Sequence, residues 1–290
     1  MLYVICGPTG SGKTSAAITL SKQLKAPIIN ADAFQIYQEM NIGTAKISKD
    51  DPNYKNHYLI DIKSPSEDFS VKEYQTLFRE TVDKLSKDNK NIIVCGGTGL
   101  YIRASIYDYV FIDEEKSDTS DLEKMSNEEL YDLLISLDKD ITKTIHMNNR
   151  KRVIRAISIA RNTDHKKSEV ISNQKHEPIY EARFLMINPK RDILYDNINA
   201  RVDEMMKNGL VDEVKTLKEK YQLSKTAQAA IGYKEVIDYL DDKMSLNDCV
   251  ELIKKRTRNY AKRQVTFFKN QFPIEQYETS QELVNAIKEQ

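Results

Sequence analysis

The sequence contains no run of about 18 apolar residues, so no part of it is built to cross a bilayer as a helix. Cysteine is scarce: Cys6, Cys95 and Cys249 are an odd number without metal-site spacing, which argues against a disulfide framework or a zinc module. Cys6 and Cys95 end apolar runs, so buried free thiols in a reducing compartment are expected. Leu2 to Cys6 already reads as a strand feeding a loop, leaving no place for a signal peptide; a cytoplasmic location is expected. Net charge is also missing, with 44 basic residues balancing 44 acidic ones. The total therefore does not announce a polyanionic partner, but the distribution is uneven. Acids crowd 113–140, and bases crowd 150–167 and 254–269.

What is present suits a soluble globular protein: 290 residues, 40% hydrophobic and 30% charged. That length accommodates one large domain with an insertion, or two ordinary domains. Residues 2–6 form a short apolar run ended by Gly7, as in a buried parallel strand. A helix is expected from Lys13 to Leu24, then a strand from Pro27 to Ala31. Helical spacing runs from Val71 to Lys87, with Tyr74, Leu77, Phe78, Val82 and Leu85 on one face. Ile92 to Cys95 is a further strand, stopped by Gly96-Gly97. This alternation predicts an α/β fold with a parallel sheet flanked by helices. Residues 111–178 are charged, with glycine absent from 113–178, and are expected to form a helical insertion between a first core part (1–110) and a core return (179–290). The return opens with a strand at 182–187 and is expected to be helical from Asp192 onward, over 192–207, 210–220, 227–240 and 246–270.

The most specific local signal is Gly7-Pro8-Thr9-Gly10-Ser11-Gly12-Lys13-Thr14, a phosphate-loop motif between strand and helix. Its glycines let backbone N–H groups turn toward phosphate oxygens at a helix N-terminus. Lys13 adds a point charge, and the Thr14 hydroxyl is placed to ligate Mg²⁺. The motif establishes phosphate binding and not its use. A hydrolysing P-loop enzyme carries an acid at the end of a second apolar strand; here that strand ends in Gly96-Gly97-Thr98. The acid stands instead at Asp32, after the strand that follows the first helix. There it suits a general base acting on a second substrate, or else a turn cap. A P-loop small-molecule kinase and a nucleotide-gated RNA-binding module stay open on these grounds.

Several blocks taken together resemble the tRNA dimethylallyltransferase (tRNA isopentenyltransferase) family. They are G-P-T-G-S-G-K-T at 7–14, D-A-F-Q-I-Y at 32–37, I-G-T-A-K at 42–46, H-Y-L-I-D at 57–61 and G-G-T-G-L-Y at 96–101. I-H-M-N-N-R-K-R-V-I-R-A at 145–156, A-I-G-Y-K-E at 230–235 and Y-A-K-R-Q-V-T-F-F at 260–268 continue the series in order. The resemblance implies a P-loop NTPase-like core that transfers a dimethylallyl group from dimethylallyl diphosphate to the amine of the adenosine 3′ of the anticodon, in tRNAs reading U-starting codons. It implies Asp32 as general base, Thr98 near the transferred group, Arg201 reaching the diphosphate, and Mg²⁺ as cofactor. For tRNA contact it implies Asp32, Ala33, Phe34, Gln35, Lys151, Arg152, Arg155, Tyr233, Lys234, Lys262, Arg263 and Gln264. The sequence departs from the family pattern at Ala33, often serine; at Met147-Asn148-Asn149, usually with proline; and at Phe267, usually tryptophan. In 112–128 the expected helix with a tRNA-facing arginine is not evident.

The residues themselves agree with this reading. Prenyl transfer activates no water, so a strand-end acid is not needed. It does need stabilisation of diphosphate charge as the C–O bond breaks, which loop amides, Lys13 and Mg²⁺ supply. Lys255, Lys262 and Lys269 recur every seven residues, as do Arg256 and Arg263, giving one broad basic helix face that suits a nucleic-acid backbone. His57 is expected to be structural. Without an exposed apolar repeat, a monomer is expected.

Overall fold

The computed structural model describes residues 1–111, 118–163, 166–173 and 175–288. The chain starts with β1 (Leu2–Cys6), α1 (Lys13–Leu24), β2 (Ile28–Asn30), β3 (His57–Tyr58), α2 (Val71–Leu85), β4 (Ile92–Cys95) and α3 (Gly99–Ile106). It continues through α4 (Ser120–Glu123), α5 (Asn127–Leu137), α6 (Arg150–Asn162) and α7 (Lys167–Asn173). It then returns with β5 (Ala182–Ile187), α8 (Arg191–Lys207), α9 (Leu210–Lys220), α10 (Lys225–Gln228), α11 (Tyr233–Leu240), α12 (Leu246–Gln271), β6 (Ile274–Tyr277) and α13 (Ser280–Lys288). Two compact units result: residues 1–106 with 178–290, and residues 107–177.

In the first unit the six strands form one parallel sheet in the order β3-β2-β4-β1-β5-β6. The expected α/β architecture is borne out. Short β-branched runs make these strands because both faces are covered by helices, which removes the need for alternation. One face packs Ala16, Ala17 and Leu20 of α1 and Leu283, Val284 and Ile287 of α13 against Ile5, Ile28, Ile93 and Leu185. Elsewhere in the unit, Tyr74 of α2 stacks on Tyr101 of α3 at 4.3 Å between ring centroids and donates its hydroxyl to Asn30 O at 2.8 Å. Ser70 caps α2 reciprocally with Glu73. The order matters for function: β2, β4 and β1 are neighbours, so the loops after them emerge side by side at the C-terminal edge of the sheet. Those loops carry Asp32, Gly96–Thr98 and the phosphate loop.

Two expectations need correction. The span 227–240 is not one helix: α10 ends at Gln228 with Ala229 as its C-cap, and α11 starts afresh behind Gly232, whose φ of 97° suits glycine. The stretch after Asp192 is not helical throughout; β6 pairs with β5 in register Phe184↔Ile274 to Ile187↔Tyr277. Arg183 and Glu275 pair across these two strands at 2.6 Å.

The second unit is helical, with its own core of Leu122, Leu130, Leu134, Ile141, Val153, Ala156 and Ile157. Arg150 ties α6 to the Leu122 and Glu123 carbonyls. Asp138, only 2% exposed, accepts from Ser168 N–H and Oγ. Of the 112–128 stretch, residues 112–117 lie outside the described residues; the remainder holds the four-residue α4, with no arginine in it.

Candidate active site

The phosphate loop folds as its glycines require. Gly7, Gly10 and Gly12 have φ of 137°, 79° and 89°, and a Cβ on Gly7 would collide with the Ile187 carbonyl. Lys13 opens α1 and its Nζ donates to Pro8 O at 2.6 Å. Burial pulls its ammonium down to about 8; Cys95 and Asp32 oppose that shift and Arg201 adds to it. Ser11 Oγ is buried with no hydrogen-bond partner among the described residues.

Asp32 sits directly beyond β2, half-buried. Its backbone N–H donates to Asn30 Oδ1 at 3.1 Å, and its Oδ1 accepts from Phe34 N–H at 3.0 Å, an Asx turn that fixes the carboxylate. The cap reading is thus realised through Oδ1, while Oδ2 accepts nothing from the described residues and is free for a substrate proton. Thr98 Oγ1 accepts from Ala33 N–H at 3.0 Å, so Thr98 braces the Asp32 turn.

One cavity of about 320 Å³ gathers these groups. Thr9, Lys13 and Thr14 line it with Asp32, Phe34, Gln35, Arg201, Tyr260 and Arg263. Thr98 is not in the lining. Burial lowers the Arg201 guanidinium against the pull of Asp32. Tyr260 is pushed up by burial and by the Asp32 carboxylate, so it stays a neutral phenol, with Arg263 5.8 Å over its ring. Cys95 lines the cavity and is half-buried, unlike buried Cys6 and Cys249; burial pushes its thiol up to about 11.

The structure gives two of the expected tRNA contacts other partners. Gln264 is 5% exposed: its Oε1 accepts Thr9 N–H at 2.9 Å and its Nε2 donates to Gly97 O at 2.8 Å. It clips α12 to both the phosphate loop and the loop after β4. Tyr233 is 1% exposed and donates its hydroxyl to Glu213 at 2.6 Å. Lys262, Arg263 and Lys234 are exposed, as are Lys151, Arg152 and Arg155 on the outer face of α6. Arg256 of the basic stripe, and Arg258 beside it on α12, are engaged with Glu235 and Asn199. His57 bonds Asn53 O through Nδ1 at 2.9 Å, a structural contact. The sequence reading missed Lys167, whose ammonium is lowered by burial and by nearby Arg155 and Arg152, and Glu213, whose carboxylate meets four donors.

Among the described residues, no three His, Cys, Asp or Glu side chains are grouped to hold a metal ion, and no helix is long and apolar enough to cross a membrane.

The family described as IPP transferase matches residues 35–271. A tRNA dimethylallyltransferase of Bacillus licheniformis is 41% identical over 94% of this chain and 89% of its own length. A crystal structure of the Staphylococcus epidermidis tRNA delta(2)-isopentenylpyrophosphate transferase is similar with a TM-score of 0.73 at 36% identity, covering 99% of this chain and 97% of that one. A eukaryotic dimethylallyltransferase acting on tRNA matches with a TM-score of 0.81 at 28% identity, over 97% of this chain and 74% of its own.

Proposed function

Since the chain belongs to the IPP transferase family, we propose that it transfers a dimethylallyl group from dimethylallyl diphosphate to the exocyclic amine of an adenosine in tRNA, releasing diphosphate. The acceptor is the adenosine 3′ of the anticodon, in the anticodon stem-loop of tRNAs reading U-starting codons. The observation that carries this reading is the shared cavity, where phosphate-loop groups and a half-free carboxylate line one enclosure.

In the reaction, the C–O bond of the allylic diphosphate breaks and a C–N bond to the adenosine amine forms. The phosphate-loop amides, Lys13 and Arg201 hold the leaving diphosphate and offset its growing charge. Asp32 Oδ2 takes the amine proton, a contribution of about 10²–10⁴-fold for a positioned general base. Thr98 acts by holding the Asp32 turn. The exposed Thr14 hydroxyl is a hard oxygen donor of the kind Mg²⁺ accepts, and it faces the cavity. Mg²⁺ therefore fits beside Thr14 and the diphosphate, where it would neutralise negative charge. A base leaves its stack more readily in a loop than in a duplex, which suits an enclosed site. Lys262, Arg263 and Lys234 meet the tRNA backbone, as do Lys151, Arg152 and Arg155. Phe34 and Gln35 face the base. The enzyme acts as a monomer in the cytoplasm, where its three free thiols stay reduced.

Radiolabelled dimethylallyl diphosphate, Mg²⁺ and unmodified tRNA test the reading, with AMP and ATP in parallel. Label should enter tRNA, and Asp32→Ala should abolish transfer while leaving diphosphate binding intact. Label in AMP alone would move the acceptor to a free nucleotide, and an active Asp32→Ala enzyme would remove the general base.

A further inference from the structure

We propose that Glu213 is a positioning residue for base recognition, setting through the 41–44 loop how Gln35 presents its amide to the acceptor. The proposal rests on the tRNA-prenylation reading above. Glu213 Oε2 accepts the N–H groups of Asn41 and Ile42 at 3.0 and 2.8 Å. Its Oε1 accepts Gly43 N–H at 3.3 Å and the Tyr233 hydroxyl at 2.6 Å. Successive backbone N–H groups make an anion-binding concavity, filled here by the protein's own carboxylate. Gly43 is pressed against Tyr233, whose ring a Cβ would strike. The loop closes on itself through Lys46 N–H to Asn41 O at 3.0 Å and Thr44 Oγ1 to Met40 O at 2.6 Å.

The anchored loop delivers one acceptor to the cavity wall. Thr44 O receives Gln35 Nε2 at 3.1 Å and Arg201 Nη2 at 3.4 Å. A carbonyl accepts only from the NH₂ end of an amide, so this contact dictates the orientation of Gln35 and leaves Oε1 and the second Nε2 hydrogen as its remaining groups. An acceptor there matches an amine that gives one proton to Asp32 and still carries another. Moving Glu213 thus misdirects Gln35 without touching substrate.

The test is a double-mutant cycle on label transfer to tRNA. Glu213→Gln sets an NH₂ group against backbone donors and should lower kcat/KM for tRNA about tenfold, the scale of one lost polar contact. Gln35→Ala should do the same, and the double variant should be no worse than Gln35→Ala alone. Gln35→Ala should leave KM for dimethylallyl diphosphate little changed. Glu213→Gln combined with Lys262→Ala should instead show independent, multiplying losses. Tyr233→Phe, which removes one donor and keeps the ring, should give a smaller loss equally hidden by Gln35→Ala; it carries the cycle if Glu213→Gln does not fold. Multiplying losses for Glu213→Gln and Gln35→Ala, or a variant that melts earlier with KM for tRNA unchanged, would overturn the assignment. If wild type labels no tRNA, the functional reading itself falls.

Discussion

Lys13 joins a buried ammonium to an anion site, and its protonation should govern how the site responds to pH. In the free protein burial holds it at about 8, below the ordinary 10.5. A bound diphosphate favours the charged form, so binding takes up a proton once the pH passes about 8. Affinity for dimethylallyl diphosphate should therefore fall about tenfold per pH unit above that point, read by calorimetry in buffers of different ionisation enthalpy. The stability contribution has the opposite sign. The unfolded chain holds more protons between about 8 and 10.5, so the free protein gains stability from this group as the pH rises across that window. Lys13→Met should flatten both trends. At this scale the sequence is informative where chemistry is local: the phosphate loop is legible from its spacing, and Asp32 is singled out by its place after the second strand. The resemblance puts Gln264 and Tyr233 among the tRNA contacts, and nothing in a linear stretch says that such a polar side chain is buried against a loop far away in the chain.

Among the elements, α12 divides two tasks between its faces. Cys249, Ile253, Ala261, Gln264 and Phe268 are buried along one side, while Lys255, Lys262, Arg263 and Lys269 face outward. Neutralising Lys262 and Arg263 should weaken tRNA binding and reduce its salt dependence by about one unit of log-log slope per charge removed, measured by filter binding across a salt series. Gln264→Ala should behave differently. It orphans Thr9 N–H and Gly97 O, at about 1–3 kcal/mol of stability, and should raise KM for the diphosphate with the salt slope of tRNA binding unchanged. Melting curves alongside the same binding series separate the two. Helix periodicity makes α9 and α12 legible almost to the residue, and the phosphate-loop motif does the same for α1. The Gly232 break and β6 escaped because a short strand at a sheet edge, or a glycine among helix formers, is decided by tertiary pairing.

For the molecule as a whole, the chain leaves the sheet-bearing unit at Ile106 and rejoins it at Pro178, and Ile179 N–H bonds Ile106 O at 2.8 Å. The first unit keeps its own core and all the groups that line the cavity. Replacing 107–177 with a short glycine-rich link should therefore leave a cooperatively melting protein that binds dimethylallyl diphosphate but holds tRNA less tightly. Loss of diphosphate binding in a folded excision variant would show that the second unit completes the donor site. The broad layout was legible because composition changes at the insertion, from β-branched runs to charged helical ones. The pairing of particular strands was not, since parallel neighbours are far apart in sequence and leave no local trace.

The side-by-side crossing at Ile106 and Ile179 also bears on how the chain finds its fold. β1 must pair with β5 across everything between them, and such distant pairings are slow because closing the intervening chain costs entropy before any contact rewards it. A helical unit with a local core can form first and bring its own two ends together. Once it has, the separation that β5 must bridge is shortened, and the insertion would act as a clasp on the folding chain.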